Sequence, residues 1–135
     1  MTKYFYIICL AVLMLFAMPT AAQIKHPQEG KGLQSQNSDV AAKIEFHNTA
    51  NQTVKIYWID FAGKRVLYST LLADEVYAQE SFVTHPWLVT DAKGNSWALH
   101  QPQAFVKAGM QKIVIAAPTG LVAKPIQTLP ITTKQ

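Results

Sequence analysis

The stretch Val54–Leu71, VKIYWIDFAGKRVLYSTL, decides the fold. Val54, Ile56 and Trp58 alternate with Lys55, Tyr57 and Ile59, the two-residue period of a half-buried strand. DFAGK supplies a turn in which Gly63 can take a positive φ, and RVLYSTL returns with Val66, Tyr68 and Thr70 on one face. The stretch reads as a β-hairpin. Upstream, KIEFHN sets Ile44 and Phe46 against Lys43, Glu45 and His47, and Asn48–Gln52 (NTANQ) turns the chain. Downstream, LADE is a further turn. VYAQESFVTHPWLVTD then gives a strand, a break at Pro86 and another strand, with Ser81, Val83, His85 and Trp87 on one side by parity. DAKGNS turns again, and WALH and QKIVIAA complete the series. About seven short strands punctuated by Gly, Asn and Asp turns predict an all-β fold, an antiparallel β-sandwich over residues 42–117.

Outside that core, residues 1–22 (MTKYFYIICLAVLMLFAMPTAA) place Lys3 before an apolar run from Tyr4 to Met18. Such a run lies near the lower limit for a membrane anchor. Helix-breaking Pro19 and the small residues Thr20, Ala21 and Ala22 follow it directly, which favours a cleaved signal peptide and a mature chain beginning near Gln23. The expected location is therefore secreted or periplasmic, with no stable membrane span after cleavage. The single cysteine, Cys9, sits inside the leader. The remainder has no thiol for catalysis, metal binding or disulfides, so the fold rests on its hydrophobic core. Residues 23–41, rich in Gln, Ser, Gly, Lys and Asn, read as a flexible linker, and residues 118–135 as a proline-containing tail. The net charge of +4 is spread over scattered lysines with only Lys64–Arg65 adjacent, so no nucleic-acid partner is expected.

The side chains that carry chemistry argue against catalysis. A serine nucleophile needs its base within hydrogen-bond reach, whereas Ser81 and His85 on one strand stand about 13 Å apart. His47, His85 and His100 are dispersed and lack metal-ligand spacing, and the carboxylates fall in or beside turns. No enzyme activity, metal or cofactor is expected. Binding remains. Trp58, Tyr68 and Trp87 are rigid rings suited to pocket walls, with Ser81 and His85 able to fix a ligand hydroxyl. The same tryptophans also suit an ordinary sandwich core. The residues alone leave three binding or scaffolding roles open: a peptide pocket, a carbohydrate or small-molecule site, or an assembly module pairing through a sheet edge.

A resemblance separates these. The span Ile44–Asp91 is similar to the β domain of the von Hippel–Lindau tumour suppressor family, on a strand ending in HN (His47, Asn48), YWIDFAGK (Tyr57–Lys64), YSTL (Tyr68–Leu71) and SFVTHPWLV (Ser81–Val89). The strands from Trp97 to Ala117 would complete the sandwich with weaker similarity. The resemblance implies a β-sandwich that recognises a peptide containing 4-hydroxyproline. It puts Trp58 and Trp87 around the pyrrolidine ring, Tyr68 on the peptide backbone, and Ser81 and His85 on the ligand hydroxyl. The expected partner is thus a proline- or hydroxyproline-containing peptide or protein. Two neighbours depart from the family pattern: Glu80 replaces a histidine and Phe82 a tyrosine. No helical elongin-recruiting domain is expected after the sandwich, so the family's ubiquitination role does not carry over.

Overall fold

The computed structural model of the chain describes residues 21–119. Most of the apolar leader and the tail from residue 120 lie outside the described residues, and with them the signal-peptide and tail expectations. The strands are β1 Ala41–Asn48, β2 Val54–Ile59, β3 Arg65–Leu71, β4 Val76–Phe82, β5 Trp87–Asp91, β6 Ser96–His100 and β7 Met110–Ile115, with a short helix α1 at Phe105–Ala108. Two sheets form, one ordered β4-β1-β7 and the other β3-β2-β5-β6. The all-β sandwich expected from the hairpin periodicity is what the chain builds.

One pairing differs from an all-antiparallel sandwich: β1 and β7 run parallel, Lys43 opposite Met110 and Asn48 opposite Ile115. The chain reaches β7 from β6 of the opposite sheet through a crossover carrying α1, which delivers it in the direction of β1.

Alternation sets the core. In β1, Ala42, Ile44, Phe46 and Asn48 are buried while Lys43, Glu45 and His47 face outward. Ile44 and Phe46 meet Val54, Ile56, Leu71, Trp87, Val89 and Ile115, each fully buried side chain contributing about 1.5–3 kcal/mol relative to exposure.

Two turns share one design. Asp60 Oδ1 accepts from the amides of Ala62 and Lys64, and Asp91 Oδ1 accepts from those of Lys93 and Asn95. Each turn has a glycine with positive φ in its fourth place, Gly63 at 75° and Gly94 at 90°. The aspartates satisfy amides that the turn leaves without backbone partners. A Cβ on Gly63 would stand 2.9 Å from the Leu33 carbonyl oxygen, so the glycine also admits the segment that crosses it.

That segment corrects the linker expectation for residues 23–41. It packs as a strap on the four-stranded sheet. Ser96 N–H donates to the Ile24 carbonyl (2.8 Å), Ile24 N–H to Asn95 Oδ1 (2.9 Å) and Ser35 N–H to the Asp60 carbonyl (3.0 Å). At its centre the Arg65 guanidinium grips the Glu29 carboxylate through Nε (2.7 Å) and Nη2 (2.8 Å), with Ser96 Oγ donating to the same carboxylate at 2.9 Å. Composition gave no sign of this because polar groups, not apolar ones, fasten the strap.

Burial opposes ionisation of Glu29, but the hydrogen bonds from Arg65, the His26 amide and Ser96 outweigh it, lowering its pKa from the ordinary 4.5 to about 2. A depressed carboxylate stabilises the fold fully above its unfolded pKa and loses that contribution as pH falls through the folded one. The window here runs from 4.5 down to about 2. The difference corresponds to about 3 kcal/mol. Glu29→Gln should therefore flatten the stability profile over that window in pH-dependent urea unfolding. An unchanged slope would show that the ion pair does not fasten the strap.

Candidate functional site

One end of the sandwich gathers the aromatic side chains. Across the four-stranded sheet, Val66, Trp58, Trp87 and His100 form one register row on β3, β2, β5 and β6. Trp58 and Trp87 are thus direct cross-strand neighbours, where large side chains meet.

Tyr68 joins them through a bulge. Along β3 the partners of β2 step from Ser69 to Leu67, leaving Tyr68 unmatched. The extra residue breaks the simple alternation that put Val66, Tyr68 and Thr70 on one face: Val66 stays opposite Trp58 while Thr70 falls opposite Lys55. Tyr68 keeps its ring on the tryptophans. Its centroid lies 4.9 Å from Trp87 and 6.2 Å from Trp58, both edge-to-face. A second bulge, at Trp97 of β6, presents that ring to the core in the same way.

Ser81 and His85 do not share a strand face as parity suggested. Ser81 lies on β4 of the three-stranded sheet, opposite Ala42, and the chain crosses to the other sheet before Trp87 opens β5. A turn makes the crossing, with His85 N–H donating to the Phe82 carbonyl at 3.1 Å. Thr84 Oγ1 donates to the Gln36 carbonyl of the strap at 2.5 Å. The crossing brings Ser81, on one sheet, and His85, in the turn that packs on Trp58 of the other, to one end of the sandwich.

Polar atoms at this end are oriented. Trp87 Nε1–H donates to Ser81 Oγ at 2.9 Å, tying the two sheets together. Trp58 Nε1–H donates to Ser35 Oγ at 2.7 Å, and Ser35 Oγ–H donates to the Ile59 carbonyl at 2.5 Å. Ser35 is 2% exposed and stands in the strap, where its composition gave no hint of a site role. Both indoles are held by serine hydroxyls. Because Ser81 Oγ accepts from Trp87, its own O–H remains able to donate elsewhere.

His85 packs against Trp58 at 5.3 Å, Phe82 at 5.2 Å and Phe61 at 5.6 Å. Burial lowers its pKa below the ordinary 6.5, which favours the neutral imidazole with one acceptor nitrogen. Phe61, Tyr68 and Phe82 are exposed and frame the cluster, Phe61 being a rim residue that sequence reasoning missed. Trp87 differs from the expected open wall: it is 2% exposed, so it serves mainly as core and as the donor that orients Ser81. Trp58 is half-buried and offers the accessible ring surface. Of the two departures, Glu80 pairs with Lys43 at 3.1 Å across an exposed face, a contact worth little, whereas Phe82 meets His85 edge-to-face.

Against families of known proteins, the model of the VHL beta domain family matches residues 33–111, more than half of the chain. The chain belongs to the VHL beta domain family. The matched span takes in Ser35, all five residues singled out from the sequence, and the turn that crosses between the sheets. It stops as β7 begins, so the strand that completes the smaller sheet of this VHL beta domain lies mostly beyond the match.

Proposed function

We propose that the protein is an exported peptide-binding module, not an enzyme, whose aromatic end recognises a segment containing proline or 4-hydroxyproline. The observation that carries this reading is a serine hydroxyl oriented by Trp87 at the same end of the sandwich as the His85 imidazole, which packs on half-buried Trp58. Ser81 is fixed as acceptor by Trp87, so its O–H can donate to a ligand hydroxyl, and His85 can accept the ligand's own O–H. Trp58 gives the pyrrolidine ring a flat apolar wall, with Tyr68 at its edge. Membership of the VHL beta domain family supports the ligand class. Export rests on the leader, Lys3 through Ala22.

A site that hydrogen-bonds a hydroxyl discriminates against an analogue lacking it, because unpaired polar groups remain. Proline-rich ligands arrive extended and preorganised, which limits the entropy lost on binding. The direct test is Trp58→Ala. Loss of the ring wall should weaken binding of a hydroxyproline peptide by about 2–4 kcal/mol, at least 30-fold by calorimetry. Undiminished affinity in a folded Trp58→Ala variant would remove the pocket from the binding site.

A further inference from the structure

The pocket leaves the identity of its partner open, and this chain carries a candidate. Its rim is apolar and aromatic, with Phe61 50% exposed, Tyr68 44% and Phe82 38%. It therefore suits a proline flanked by aliphatic residues. The sequence beyond the described residues contains one such site, Leu129–Pro130–Ile131, whereas Pro125 follows a charged Lys124.

Reach can be stated from the register. Ser81 lies opposite Ala42 and Ile115 opposite Asn48, so β7 ends at the opposite end of β1 from the pocket. Thr49 anchors that end, its amide and hydroxyl both donating to the Ile115 carbonyl. The distance along β1 between these points is about 20 Å. Pro118 follows Ile115 too closely to return, with a span of about 10 Å, while an extended chain carries Pro125 up to about 33 Å and Pro130 up to about 50 Å. Pro130 thus combines reach with matching flanks.

We propose that the segment Leu129–Pro130–Ile131 is an intramolecular ligand of the aromatic pocket, which an external hydroxylated peptide must displace. This rests on the peptide-binding reading above and adds the occupant. Lacking a hydroxyl, Pro130 leaves Ser81 and His85 without a ligand partner, so its intrinsic affinity is low. Tethering offsets this through an effective concentration in the millimolar range. The outcome is a pocket whose apparent affinity is reduced by the fraction that is self-occupied.

The test titrates a trans-4-hydroxyproline peptide into the full chain and into its Pro130→Ala and Pro125→Ala variants. Pro130→Ala should bind about 3- to 10-fold more tightly, with the Trp58 indole N–H resonance shifted before any peptide is added, and Pro125→Ala should stay within about twofold of the parent. Equal affinity in all three would overturn the proposal while leaving the pocket reading intact. A gain in Pro125→Ala instead would overturn the assignment to Pro130. A gain that scales with protein concentration would place the segment on a second copy and overturn the intramolecular form. Peptide binding by none of the three would remove the pocket reading, and this proposal with it.

Discussion

Asn48→Ala should cost about 3–5 kcal/mol, enough to unfold much of the population at 37 °C. The side chain of Asn48 is 1% exposed and saturated with hydrogen bonds. Its amide nitrogen stands 2.9 Å from the Gln52 carbonyl, 3.2 Å from that of Leu71 and 2.8 Å from that of Leu72, and its Oδ1 accepts from the Ala50 amide at 3.1 Å. Its backbone adds two further bonds, to Glu75 and from Asp74. One residue therefore ties the β1–β2 turn to the β3–β4 turn, where Asp74 is held at a positive φ of 67°. Alanine would leave the buried Leu71 carbonyl and Ala50 amide without this partner, each costing about 1–3 kcal/mol, and would release the part-buried Gln52 and Leu72 carbonyls as well. Thermal and urea unfolding measure the loss, and a change below about 1 kcal/mol would mean that the turns hold without Asn48.

Ser81→Ala should abolish discrimination between hydroxylated and plain proline. Two effects combine and can be separated. Removing the hydroxyl leaves Trp87 Nε1–H buried without its acceptor, a stability cost of about 1–3 kcal/mol. It also removes the hydroxyl proposed to donate to the ligand. Affinity for the hydroxyproline peptide should fall about 10- to 100-fold, while the weaker affinity for the proline peptide stays nearly constant. His85→Ala should narrow the same preference while leaving the Ser81–Trp87 bond intact. If both peptides lost affinity equally in Ser81→Ala, the residue would act only by holding Trp87, and the hydroxyl-reading role would fail.

The strands were legible because burial on one face imposes a period of two, as in Ile44 and Phe46 of β1 and Val54 and Ile56 of β2. The pattern breaks at the end of β2, where Trp58 is half-buried and Ile59, read on the other face, is fully buried. The turns were legible because Asp60–Gly63 and Asp91–Gly94 carry their own chemistry. The residues brought to the aromatic end were visible as spaced landmarks. The geometry that brings them together was not. Parity assumes an unbroken strand, and it failed at Thr70, beyond the extra residue Tyr68 in β3, and between Ser81 and His85, where the chain changes sheets. The strap failed for a different reason. Low hydrophobicity suggests disorder, yet Glu29, Ser35 and Asn95 fasten residues 23–40 through hydrogen bonds that require the finished sheet. Long-range polar contacts leave no periodic trace in sequence.

This strap changes what the site is made of. Ser35 orients Trp58 from outside the sandwich, and the Gln36 carbonyl holds Thr84 in the crossing turn next to His85. The aromatic end is thus built from both sheets and the segment that precedes them. Glu29 and Ser35 fasten the same strap, so releasing it would remove the acceptor that orients Trp58.

The central claim is tested most directly by tryptophan fluorescence of the protein, titrated with two peptides differing only in trans-4-hydroxyproline or proline. The account predicts a saturable change with the hydroxylated peptide and one at least about tenfold weaker with its partner. Equal responses to the two, or none to either, would contradict it and leave the aromatic end as sandwich core.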